Sequence, residues 1–153
     1  MLIRSATPDD IPAMIRLEQQ ASTAAHWSER DYDALFLLEA PPRIAIVAEN
    51  ERGPTRVVAF VVARCGIDEW EIENVAVASD HRRRGMAERL IGAVLDRAAS
   101  TGVASVVLEV RESNRAAVQL YQKLGFTQEG LRRGYYRNPV ENACLLRRRV
   151  KDL

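Results

Sequence analysis

Between residues 69 and 110 the hydrophobic period of this chain changes twice. Glu69–Val77 reads as a strand, and Arg82-Arg83-Arg84-Gly85-Met86-Ala87 interrupts it. Gly85–Thr101 then presents Met86, Leu90, Ile91, Val94, Leu95 and Ala98 at helical spacing and stops at Gly102, and Ser105–Val110 is a second apolar run. A strand–helix–strand unit implies two parallel strands, because parallel neighbours need a long crossover rather than a hairpin. Its basic junction suits an anion. The first amides of a helix have no internal partner and carry the positive end of the helix dipole. Gly85 lets an anion approach the backbone, Ala87 keeps the next turn narrow, and the arginines offer forked donors for phosphate oxygens. A solvated basic helix start has the same composition, so the motif alone does not decide.

The apolar phase of Glu69–Val77 slips: Trp70 and Ile72 share one parity, Val75 and Val77 the other. A strand buried on both faces shows such a slip without consequence. A β-bulge near Glu73–Asn74 also produces it, and bulges often mark binding sites.

The flanking segments complete an α/β pattern. Leu2–Ala6 is a short strand, and Thr7-Pro8-Asp9-Asp10 starts a helix continued by Ile11, Met14, Ile15 and Leu17–Glu18. Ser28 caps a second helix, with Asp31 three residues on, predicted to run to about Leu38 and to end at Pro41-Pro42. Arg43–Asn50 and Val57–Arg64 are neighbouring strands joined through Glu51-Arg52-Gly53-Pro54. Ser113-Asn114 caps a helix with Ala117, Leu120, Tyr121 and Leu124 on one face and Gly125 as terminator. Phe126–Gly130 and Ala143–Val150 form a closing strand pair, with Gly134-Tyr135-Tyr136 between them. The expected fold is one α/β domain over residues 1–153, a mixed sheet with helices on both faces.

At 153 residues and 47% hydrophobic content the chain can bury a core. No apolar run is long enough to span a membrane, and Met1-Leu2-Ile3-Arg4 lacks a signal-peptide core. Cys65 and Cys144 are far apart, without a CxxC or clustered histidines, so neither a metal site nor a disulfide is expected. They read as two buried, reduced thiols of a cytoplasmic protein. Residues 1–74 carry 13 Asp+Glu against 7 Lys+Arg, and residues 75–153 carry 8 against 15. That asymmetry suits a polyanionic ligand on the second half and a cationic partner on the first, unless the charges mix on the folded surface.

Several motifs now combine. Asn74-Val75-Ala76-Val77, Arg82-x-x-Gly85-x-Ala87, Leu108-Glu109-Val110-Arg111, Asn114 and Ala117-Val118-x-Leu120-Tyr121-x-x-Leu124-Gly125-Phe126 resemble the GNAT acetyltransferases, over nearly the whole chain. The Leu-Glu-Val-Arg-x-Ser-Asn run, Tyr135-Tyr136 and Trp27-Ser28-Glu29 are similar to the RimI branch, whose members acetylate the N-terminal alanine of a small-subunit ribosomal protein. The resemblance implies a central sheet splayed between two parallel strands, with acetyl-CoA as co-substrate and no metal. It implies that the pantetheine arm pairs with backbone at Val75, Ala76 and Val77. Arg83, Arg84, Gly85, Met86, Ala87 and Glu88 would hold the pyrophosphate, and Arg82 and Asn114 would contact the cofactor. Glu109 matches the general base and Tyr121 the general acid, while Trp27, Tyr135 and Tyr136 lie on the expected peptide side. Two positions depart from the branch: His26 stands where it often has Pro, and Asn142 where it often has Asp.

Each residue also has a plainer reading: Glu109 as a carboxylate paired with an arginine, Tyr121 as a core aromatic, Asn114 as a helix cap, Tyr135 and Tyr136 as strand aromatics. Other functions remain open at this level. One is acetylation of a small amine such as a polyamine, amino acid or aminoglycoside. Another is a ribosome- or RNA-binding module built on Arg132-Arg133 and Arg147-Arg148-Arg149-Val150-Lys151, and a third is a sensor that binds acetyl-CoA without turnover. Nucleic acid is the less expected partner, since no aromatic–basic pattern accompanies those arginines.

Overall fold

The computed structural model describes residues 1–21, 27–37, 42–52, 56–137 and 139–150. Seven strands form one sheet: β1 (Leu2–Ser5), β2 (Arg43–Asn50), β3 (Arg56–Cys65), β4 (Glu69–Val77), β5 (Ser105–Arg111), β6 (Thr127–Tyr136) and β7 (Glu141–Arg149). Their spatial order is β1-β2-β3-β4-β5-β7-β6. Only β4 and β5 are parallel; every other neighbouring pair is antiparallel. The helices are α1 (Ile11–Gln20), α2 (Glu29–Ala34), α3 (Met86–Thr101) and α4 (Arg115–Lys123).

The apolar stripes sort these helices onto the two sheet faces. Leu90, Ile91, Val94 and Ala98 of α3 are fully buried against Ile46, Val61, Trp70 and Leu108 of the sheet, and Tyr121 of α4 joins that layer. Met14 and Leu17 of α1 and Tyr32 of α2 pack on the opposite face against Val47, Phe60, Val62 and Ala76. Each buried Leu, Ile or Val side chain contributes about 1.5–3 kcal/mol, so these two stripes fix which helix lies on which face.

Some boundaries differ from expectation. The second helix ends at Ala34, where the Leu35 amide turns back to Tyr32 and Asp33 carbonyls in a tightened final turn. Leu38, Pro41, Gly53, Pro54, His26 and Lys151 lie outside the described residues. The closing strand pair is longer than expected, and Gly134-Tyr135-Tyr136 belongs to β6. Gly134 adopts φ 60° and donates its N–H to Asn142 Oδ1 at 3.0 Å, so the strand kinks there and continues. Asn142, one of the two branch departures, thereby ties the tyrosine pair to β7. Cys144 is buried but Cys65 only half-buried; both are free, and burial pushes both thiols up. Among the described residues no helix is long and apolar enough to cross a membrane.

The start of α1 is held by a partly buried ion pair. Arg4 reaches both carboxylate oxygens of Asp10, at 2.8 and 2.9 Å, and donates Nε to Glu49 at 2.8 Å. Asp10 Oδ2 also accepts the Thr7 amide at 2.8 Å. The Arg4 bonds hold the Asp10 carboxyl below its ordinary range against the opposing pull of burial. A lowered carboxylate stabilises the fold fully above the unfolded value, near 3.9, and loses that contribution as pH falls through its own range. Asp10→Asn should therefore cost about 2–3 kcal/mol at pH 7. By denaturant titration, the difference from wild type should shrink steadily below about pH 4. An equal difference at pH 3 and pH 7 would contradict this account.

Candidate active site

The parallel pairing of β4 with β5 is brief. It runs from Glu69 opposite Ser105 to Ile72 opposite Leu108, and beyond that point the strands part. A bulge lies at the point of parting: on β3, Val62 faces Asn74 while the next residue, Ala63, faces Ile72, leaving Glu73 as the extra residue of β4. The bulge accounts for the phase slip in the sequence. Trp70 and Ile72 before it, and Val75 and Val77 after it, all pack on the α3 face. Ala76 joins the opposite layer, and Asn74 bonds into it. The β5-facing edge of residues 73–77 is thus left without a strand partner.

A cleft of about 500 Å³ fills this gap. It is lined from both faces of the sheet, so it has two chemically different sides. On the α3/α4 side stand Val75, Val77, Arg82, Ala87, Asn114, Ala117 and Tyr121. On the α1/α2 side stand Ala21, Trp27, Asn74, Glu109, Tyr135 and Tyr136.

The basic junction forms the rim of the first side. Arg83 has φ 63° and Gly85 φ 74°, so two residues of this short turn are left-handed. For arginine that conformation is strained by about 1–3 kcal/mol, and such strain persists where the surrounding structure enforces it, often at ligand clamps. Left-handed residues alternating with ordinary ones at the start of a helix are the backbone pattern that anion-binding concavities use. A Cβ built at Gly85 would meet no atom within 4 Å, so the space over this turn is open to a phosphate. These residues fit the diphosphate of a coenzyme A.

Individual side chains at the rim have distinct tasks. Arg82 folds back, donating Nε to the Val77 carbonyl at 3.3 Å, and Glu88 pairs with Lys123 at 2.9 Å. The side chain of Met86 is buried in the core, which leaves only its amide for a ligand. Arg83, Arg84 and Gly85 are exposed at the rim, outside the cleft lining. Asn114 is a helix cap, its Oδ1 accepting the Ala117 amide at 3.2 Å, so its NH2 group is the remaining donor.

The titratable groups stand on both sides, Tyr121 on the first and Glu109 and Tyr136 on the second. Glu109 is largely buried and its carboxyl is pushed up, chiefly by burial and further by Glu71, against the pull of Arg132. Arg132 Nε lies 3.4 Å from Glu109 Oε1. Tyr121 is 5% exposed, edge-on to Phe126 at 5.7 Å, and burial pushes its hydroxyl up to about 12. Tyr136 rises to about 12 as well, through burial and then the charge of Glu109. Two buried side-chain oxygens have no protein partner among the described residues, Glu109 Oε2 and Asn74 Oδ1, and both residues line the cleft. Unpaired buried acceptors are uncommon and mark where a ligand or water belongs.

A polar hub beneath the second side escaped the sequence analysis. Glu18, 5% exposed, accepts from the Trp27 amide and from Asn74 Nδ2, both at 3.0 Å, and Asn74 Nδ2 also donates to the Tyr32 hydroxyl at 3.2 Å. The Trp27 ring lies tilted against Tyr32, with ring centroids 5.3 Å apart. The signal was present: Glu18 follows Leu17 on the apolar stripe of α1, where a carboxylate must find partners. Arg132, read from sequence only as part of a basic run, belongs to the site. Arg147 of the other run pairs with Glu129 at 2.7 Å and lies 3.8 Å from Glu69, so it is no free nucleic-acid contact.

Comparison with known proteins agrees with this geometry. The chain is 35% identical to the [Ribosomal protein bS18]-alanine N-acetyltransferase of Escherichia coli (strain K12), over 88% of its own length and 86% of that protein's. The crystal structure of the ribosomal-protein-S18-alanine N-acetyltransferase from Escherichia coli superimposes with a TM-score of 0.82, at 29% identity over 99% of this chain and 97% of that one. Arabidopsis thaliana NAA60 in complex with acetyl-CoA shares the fold, with a TM-score of 0.85 at 17% identity over 97% of each chain. The Acetyltransferase (GNAT) family matches residues 11–126, and with the splayed sheet and the basic turn already described, this chain belongs to that family of acetyl-CoA-dependent acetyltransferases.

Proposed function

We propose that the protein transfers the acetyl group of acetyl-CoA to the N-terminal α-amine of a protein in the cytoplasm, by direct attack of the amine on the thioester. The first acceptor to consider is the N-terminal alanine of ribosomal protein bS18, the residue named for the Escherichia coli relative. The observation that carries the reading is the placement of Glu109 and Tyr121 on one cleft, entered from opposite faces of the sheet.

Acetyl-CoA would supply the activated acetyl group, and coenzyme A would leave as the thiolate. The residues of the chain do the rest. The amides of residues 83–88 and the rim arginines hold the diphosphate, and the unpaired edge of Val75–Val77 offers backbone groups to the pantetheine arm. Glu109, pushed toward a higher titration range by burial, is suited to take a proton from the amine through a relay water. An α-amine titrates near 7.7–8.0, so roughly one in ten is neutral at pH 7, against about one in 2,500 for lysine. One carboxylate is therefore a sufficient base for an N-terminus.

Tyr121 acts as a hydrogen-bond donor to the departing sulfur. Burial raises its hydroxyl to about 12. Full transfer of its proton to a thiolate of ordinary range, near 8.5, is then uphill by about 5 kcal/mol. A donor fixed in a dry cleft stabilises developing charge without giving up the proton. Trp27, Tyr135 and Tyr136 border the acceptor side, where a peptide backbone would lie. The small-amine reading rests on fold likeness alone, with spermidine acetyltransferase related at 18% identity.

The acceptor is tested by mass spectrometry after incubating the purified protein with acetyl-CoA and peptides carrying an N-terminal alanine and an internal lysine. Acetyl groups are expected on the α-amine; modification of lysine alone, or of polyamines in preference to peptides, would overturn the proposal. Tyr121→Phe should lower kcat about 100-fold while leaving acetyl-CoA affinity within about twofold, by calorimetry. Unchanged turnover would remove Tyr121 from the mechanism.

A further inference from the structure

We propose that Arg132 is a positioning residue for the transfer: its guanidinium, seated over Tyr135, binds Oε1 of Glu109 and keeps that side chain a fixed carboxylate whose Oε2 is left for the acceptor amine. The inference deepens the reading of Glu109 as base and rests on it.

Register puts the two side chains on one face. Arg132 of β6 stands opposite Ala143 of β7, and on the other edge of β7 Ala143 stands opposite Arg111, two residues from Glu109. Glu109 itself is opposite Leu145, which shares its parity with Ala143. Directly opposed residues share a face, so Arg132 reaches Glu109 by crossing β7. The residue opposite Arg132 on the strand it crosses is a small alanine, fully buried. The reach ends with Nε 3.4 Å from Oε1 and the guanidinium carbon 5.2 Å from the Tyr135 ring centre. Stacking on a ring fixes the plane of a guanidinium and limits the side-chain entropy lost in holding a partner.

The second arginine on that face is already committed. Arg111 donates to Glu141 Oε2 at 3.3 Å and lies 4.3 Å from the Tyr136 ring centre. Glu109 thus faces Arg132 and Tyr136 from β6, Glu71 from β4, and the apolar Leu145 from β7. Burial and Glu71 favour the neutral acid, and Arg132 opposes them. Without that cation, a buried carboxylate beside a second carboxylate would be protonated over more of the working range, and a protonated acid cannot accept the amine proton. Arg132 is 59% exposed at the side chain, so its influence is partly screened by solvent and salt.

The test compares wild type, Arg132→Gln, Arg132→Lys and Glu109→Gln, all as full chains. One measurement is the carbon-13 titration of the Glu109 carboxyl. The other is the pH dependence of kcat/KM with acetyl-CoA and a short peptide carrying an N-terminal alanine. In Arg132→Gln the Glu109 midpoint and the acidic break in kcat/KM should both move up by about 0.5–1 pH unit. Arg132→Lys, which keeps the charge, should return both most of the way. In Glu109→Gln the break should shift to the ionisation of the peptide amine itself. A midpoint unmoved in Arg132→Gln, or a loss of activity equal at every pH, overturns the role of Arg132 while leaving the base in place. Retention of the wild-type break in Glu109→Gln removes the base, and the role of Arg132 falls with it.

Discussion

The extra residue at Glu73 separates two strands that would otherwise zip together. Up to Ile72 and Leu108 the sheet is continuous; past the bulge β4 rotates by one position and its edge loses β5. Unpaired backbone groups inside a protein are costly, so an open strand edge persists only where something else can pair with it. The bulge also decides what faces where. It keeps Val75 and Val77 on the α3 side and directs Asn74 toward Glu18 and Tyr32, so that the cleft cut through the sheet is lined from both of its faces.

The electrostatics follow that division. The α3/α4 side has exposed arginines and the start of α3, where negative charge is favoured. The α1/α2 side has carboxylates in partial burial, held in balance: Arg132 acts on Glu109 against Glu71 and desolvation, while Arg43 and Arg64 pair with Glu73 and Glu71 at 2.7 Å each. One ion pair, Arg147 with Glu69, links the basic second half of the sequence to the acidic first half. Arg4, Arg43 and Arg64 neutralise carboxylates inside the first half itself.

What could be read from the sequence was what leaves a periodic trace. The stripe of α3, the parallel unit, the capping of α2 by Ser28 and the bulge all appear as spacing, because backbone geometry sets which positions are apolar. Contacts made across strands leave no such trace. Arg132 and Glu109 meet only because β7 lies between β5 and β6, an order that hairpin logic does not reveal. Arg83 gave no warning of its positive φ, since a non-glycine residue in that region reflects its surroundings rather than its own preference. Glu18 was legible in principle, as a charge on an apolar stripe, but its partners Asn74 and Tyr32 come from distant segments.

A crystal structure with a bisubstrate analogue, coenzyme A joined through an acetyl bridge to an alanyl peptide, tests the two-sided cleft most directly. The account places the diphosphate on the amides of residues 83–88, the bridging carbon between Glu109 and Tyr121, and the peptide between Trp27 and Tyr135. A diphosphate seated away from that turn, or both halves of the analogue entering from one face of the sheet, would contradict it.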